Sequence, residues 1–115
     1  MLLSPVIISG VHPNPQGDDL TVHNGEFVVL HSFADHAVDV GGWALRDAKN
    51  HVLNIPAGTT IAPRGQLRVY TGPGVTAPGR VYVGRGAPIL NNRQPETVQL
   101  LEGGYVRHTF AYDPR

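Results

Sequence analysis

Apolar and polar residues alternate with a period of two along most of this chain, in short runs separated by glycine and proline. A β-branched run from Val6 to Val11 is closed by Pro13. After the turn pair Asn24 and Gly25, the run Phe27 to Ser32 places Val28 and Leu30 on one face and Phe27, Val29 and His31 on the other. Val38 to Val40 ends at Gly41 and Gly42, and Trp43 to Arg46 follows, with Trp43 and Leu45 facing one way and Ala44 and Arg46 the other. Arg46 and Asp47 are expected to lead outward into a polar turn that closes at Asn50. His51 to Ile55 and Thr59 to Ile61 resume the strand pattern across the break at Pro56 and Gly58. Beyond Pro63 and Gly65, Gln66 to Tyr70 turns Leu67 and Val69 inward and Arg68 and Tyr70 outward. Arg80 to Val83 alternates more weakly, after a loop rich in glycine and proline from Thr71 to Gly79. Thr97 to Leu101 and Tyr105 to Tyr112 flank Glu102, Gly103 and Gly104, the spacing and turn chemistry of a β-hairpin. No segment reads as a helix. The pattern predicts eight or nine short strands in an all-β sandwich, with Val28, Leu30, Trp43, Leu45, Leu67 and Val69 in its core.

Composition narrows the class without changing it. The 115 residues fit a single domain over 1–115, large enough for one core. Charged residues make up 16%, against ~25% in typical soluble domains, and 14 glycines and 10 prolines supply the turns. With no cysteine, a disulfide framework, a thiolate metal site and a cysteine nucleophile are all excluded. The opening MLLSPVIISG has no basic segment, and Ser4 and Pro5 interrupt an apolar stretch too short to cross a bilayer. A soluble domain without membrane insertion, cytoplasmic by default, is the expectation.

Several ordered motifs carry a resemblance. They are EFVVLHS at Glu26 to Ser32, then Val38, Asp39 and Val40, then GGWALRD at Gly41 to Asp47, then Val52 through Pro56 and Gly58. Ile61, Ala62, Pro63 and Gly65 follow, and finally Asn91 and Asn92 before Thr97 and Leu100. Together they resemble the lamin tail domain, in its bacterial branch, over residues 6–112. The resemblance implies an immunoglobulin-like β-sandwich in which the tryptophan of the GGW segment packs between the sheets. It also implies a module that serves interaction and not catalysis. After the paired asparagines, such domains commonly carry Gly and Asp where this chain has Arg93, Gln94, Pro95 and Glu96.

Catalytic parts are not visible. Ser4, Ser9 and Ser32 stand in no nucleophile elbow, and no glycine-rich loop ends in Lys followed by Ser or Thr. Six histidines lack the tight pairwise spacing of zinc sites and read as solvated turn and strand residues. Oxygen ligands do gather between Asn14 and Glu26, where Asp18, Asp19 and Glu26 are candidates for a structural calcium ion. Their order is not that of an EF-hand, and turn formation accounts for Asp18 and Asp19 equally well. No other cofactor is expected.

Charge is neutral in total yet segregated along the chain. Residues 1–47 hold six carboxylates and one arginine, a net −5, whereas residues 48–95 hold five arginines and one lysine and no carboxylate, a net +6. Arg64, Arg68, Arg85 and Arg93, with Tyr70 and Tyr82 among them, are therefore the candidate contact residues, joined on an exposed surface by Pro88, whereas Val81, Val83 and Ile89 read as core. Three readings follow. The favoured one is contact with a protein or self-association, through acidic and basic patches or an open sheet edge. A second is binding of a polyanion or nucleic acid through the basic segment, although a pI near 7.0 gives no strong positive field. A third is a calcium-binding accessory role.

Overall fold

The computed structural model describes residues 5–12, 26–84 and 95–113. Ten strands run through them: β1 (Val6–His12), β2 (Phe27–Ser32), β3 (Val38–Asp39), β4 (Ala44–Asp47), β5 (Val52–Asn54), β6 (Thr60–Ile61), β7 (Gln66–Tyr70), β8 (Arg80–Tyr82), β9 (Glu96–Glu102) and β10 (Tyr105–Tyr112). The count is ten against the expected eight or nine, and β3 and β6, two residues each, pair as a separate ribbon. The other eight form two sheets, ordered β1-β2-β7-β8 and β10-β9-β4-β5, which pack face to face as an immunoglobulin-like sandwich. No helix among the described residues is long and apolar enough to cross a membrane.

Alternation sets which side chains fill the gap between the sheets. On β2 Val28 and Leu30 turn inward, on β7 Leu67 and Val69, on β4 Leu45, and on β9 Val98 and Leu100; all are buried. Trp43 joins them at 8% exposure, although it precedes β4 and lies outside the strand proper. Its backbone extends the β4–β5 ladder by one rung, since the Ile55 amide donates to the Trp43 carbonyl at 2.8 Å and the Gly42 amide to that of Ile55 at 2.9 Å. The Trp43 amide in turn donates to Val40 at 3.1 Å across a turn whose Gly42 has φ +82°. A left-handed residue at the third turn position is what glycine supplies at least cost.

Asp47 departs from expectation. It is in phase with Leu45, so it points into the sandwich and is 5% exposed. Its Oδ1 accepts from the amides of Lys49 at 2.9 Å and His51 at 2.7 Å, and its Oδ2 lies 2.7 Å from His51 Nδ1. The β4–β5 turn thus folds its own donors around the carboxylate, which satisfies a group that would otherwise be costly to bury. His51 is accordingly clamped, not freely solvated. His108 is also engaged, accepting at Nδ1 from the Ile8 amide at 3.1 Å and so tying edge strand β10 to edge strand β1. β-Bulges between Ile8 and Gly10 and between Val106 and His108 bend both strands where they meet. The β9–β10 hairpin closes through Gly103 and Gly104, with φ of 57° and 86°, the two-glycine turn expected between twisted strands.

All pairings are antiparallel except β7 with β8, which run parallel. Their connection, residues 71–79, doubles back along the outer edge of β8. There Ala77 and Arg80 exchange both backbone hydrogen bonds at 3.0 Å, and the Tyr82 amide donates to Thr76 Oγ1 at 3.3 Å. The expected open edge is therefore covered at β8 by the chain's own loop.

Candidate interaction face

The outer face of the β1-β2-β7-β8 sheet concentrates the exposed chemistry. Register places His12, Phe27, Tyr70 and Tyr82 on one level across all four strands. Two contacts are stacked, His12 on Phe27 at 4.4 Å and Tyr70 on Tyr82 at 4.5 Å between centroids, and Phe27 meets Tyr70 at 4.9 Å with the planes tilted by 43°. Beyond Tyr82 the row ends on Gly74, where a Cβ would come within 2.4 Å of the Tyr82 ring. Each ring of the row thus has one face against a stacked neighbour.

The next level carries cations. Arg68 on β7 is the register partner of Arg80 on β8, and both are exposed. The Arg68 guanidinium lies 4.8 Å over the Phe27 ring, and its Nη1 donates to the Tyr70 hydroxyl at 3.4 Å. A cation held over an aromatic face and pinned by a hydroxyl is oriented before any ligand arrives. Among the described residues the ion pairs are His36–Asp35, His51–Asp47 and Arg107–Glu102. Arg64, Arg68 and Arg80 take part in none of them. On the opposite sheet, by contrast, Arg46 donates through Nε and Nη2 to Gln99 Oε1 at 3.2 and 2.7 Å.

The residues singled out from sequence fall in different places. Arg68 and Tyr82 share the outer face. Arg64 lies just before β7 in the Ala62–Gly65 turn with φ +53°, exposed, its amide donating to the Ala34 carbonyl at 2.9 Å. Arg85, Pro88, Ile89 and Arg93 lie outside the described residues, as do Asp18 and Asp19. Glu26 is fully buried, and Thr71 Oγ1 donates to its Oε2 at 2.6 Å while the Thr71 amide donates to its carbonyl at 3.3 Å. Among the described residues, no group of three His, Asp or Glu side chains is placed to hold a metal ion. Replacing Thr71 by Val removes a donor from a buried side chain, and we expect a loss of about 1–3 kcal/mol in urea unfolding. Thr71→Ser should recover most of it; equal stability of Thr71→Val and wild type would reject the role given to this bond.

Tyr70 joins Tyr82 beside the arginines, as its place in the basic segment suggests, and Arg80, Phe27 and His12 complete the face without standing among the candidate contact residues. The signal was present as a repeat, since Arg68-Val69-Tyr70 and Arg80-Val81-Tyr82 are the same tripeptide. Parallel pairing sets the copies side by side in register: arginine with arginine, valine with valine in the core, tyrosine with tyrosine.

No curated protein matches the chain. A family match is found, and it covers residues 3–113, nearly the full length, under the description Lamin Tail Domain. The match encompasses the GGW segment, both sheets and the outer face, and the ten-stranded immunoglobulin-like sandwich agrees with it. The chain therefore belongs to the lamin tail domain family.

Proposed function

We propose that this domain is a non-enzymatic interaction module whose partner is a protein, a further copy of the chain included. The observation that carries the reading is the outer face of the β1-β2-β7-β8 sheet. There an aromatic row and the guanidinium groups of Arg68 and Arg80, in no ion pair among the described residues, stand on the outside of a core completed by other residues. Membership of the lamin tail family supports an interaction role in general. Rigid strands hold the face, which suits recognition by contact.

Nucleic acid is the second reading, and Arg68 beside Arg80 is what favours it. Two observations rank it lower. Each ring of the row has a face taken by a stacked neighbour and Phe27 is also covered by Arg68, which reduces the ring surface on which bases could stack. The domain is also neutral overall. Titration with duplex DNA at two salt concentrations, beside sedimentation of the domain alone, separates the readings. We expect weak DNA binding without a marked salt slope. A steep slope that disappears in Arg64→Gln, Arg68→Gln and Arg80→Gln together would replace the protein reading by the polyanion one.

A further inference from the structure

The paired tripeptides give the outer face a feature that core packing does not require. Valine in each copy faces the interior, and Val69 and Val81 are both fully buried, so the inward half of the repeat is explained by the sandwich. The outward half is not. Parallel neighbouring strands lie ~4.8 Å apart, and like charges directly opposite each other destabilise a sheet. Arg68 and Arg80 nonetheless occupy that relation with no ion-pair partner among the described residues. Arg68 leans over Phe27 on β2, on the side of β7 away from β8, and against the Tyr70 hydroxyl, so the two guanidinium groups stand as separate cations on neighbouring strands. An arrangement that costs free energy in the isolated domain becomes favourable when an anionic chain crosses β7 and β8 and offers a carboxylate to each guanidinium.

We infer that Arg68 and Arg80, flanked by the hydroxyls of Tyr70 and Tyr82, form a docking site for the carboxylates of an acidic segment of a partner protein. The inference rests on the protein-interaction reading above and supplies the chemistry of the partner. Charge complementarity selects an anion, and the planar forks of two adjacent arginines match carboxylate geometry. The two stacked ring pairs leave less open ring surface for a ligand that binds through flat bases. The segment lies across the surface and does not add a strand to this sheet at β8, because Ala77 and Thr76 already occupy that edge.

Polyglutamate labelled with a fluorophore is the probe, titrated into the full chain by anisotropy at low and at physiological salt, with a single-stranded oligonucleotide of equal charge in parallel. We expect polyglutamate to bind more tightly than the oligonucleotide, and the double variant Arg68→Gln with Arg80→Gln to weaken it by about tenfold or more. Both side chains are exposed, so the variant should melt with the wild type, and that melt is the control on folding. Arg46→Gln, on the opposite sheet, should leave binding unchanged. Polyglutamate that does not bind, or that binds the double variant equally well, overturns the site while leaving the interaction-module reading to its own test. Tighter binding of the oligonucleotide overturns both. Self-association that the double variant abolishes assigns the face to a second copy and overturns the acidic-partner assignment alone.

Discussion

Trp43→Ala is expected to lower the unfolding free energy by about 3–5 kcal/mol, the range for emptying a large aromatic site in a close-packed interior. The indole fills the space between the sheets next to a turn and not in mid-strand, so its neighbours come from several elements. Its backbone is fixed at both groups, through the Val40 carbonyl and the Ile55 amide, and relaxation cannot easily close the cavity. Because Trp43 is the only tryptophan, the comparison should be made by far-ultraviolet circular dichroism in urea. Trp43→Phe retains most of the apolar surface and should lose less. A Trp43→Ala variant that melts with the wild type would reject the central placement of this side chain.

Gly41→Ala carries the second large effect, about 1–3 kcal/mol, for the opposite reason: there is no room for the added methyl group. A Cβ at residue 41 would sit 2.7 Å from the Gly58 amide nitrogen and 2.9 Å from the Ala57 Cα, both backbone atoms that cannot swing aside. It would also press at 3.0 Å on Asp39 Oδ1, which accepts from the Gly41 amide at 2.8 Å. The adjacent glycine is needed for another reason. Gly42 has φ +82° and open space beside it, so its requirement is conformational. Asparagine tolerates that backbone better than other side chains do. Gly42→Asn should therefore cost little, whereas Gly41→Asn should cost at least as much as Gly41→Ala. Equal thermal denaturation midpoints for the two asparagine variants would show that steric contact at residue 41 is not the reason for its glycine.

Much of the scaffold was legible because alternation in a sandwich is enforced by burial. Val28 with Leu30, and Leu67 with Val69, follow from period two alone, and so does the hairpin from its paired glycines. The same rule applies to Asp47 and Glu26, each two residues from a core position, Leu45 and Val28 respectively. Their charge argues for the surface, and what overrides it is a set of donors that only the folded chain assembles: the amides of Lys49 and His51 for one, the Thr71 hydroxyl for the other. The contact face was half legible. Arg68 and Tyr82 stand out by type, but grouping them depends on the direction of β8. A nine-residue connection between short strands suggests an antiparallel pair, in which Arg68 would not lie beside Arg80. The observed parallel pairing sets like beside like and converts a minor repeat into a cationic pair.

The link between Ile8 and His108 joins residues 100 positions apart. A seam of that span cannot form by local zippering, because nearly the whole chain must be arranged before the two edge strands can meet. Folding of the order of milliseconds to seconds is the consequence, at the slow end for a domain of this size. If the seam closes after the rate-limiting step, its bonds slow unfolding more than they speed folding, and they set how long the native sandwich persists once made.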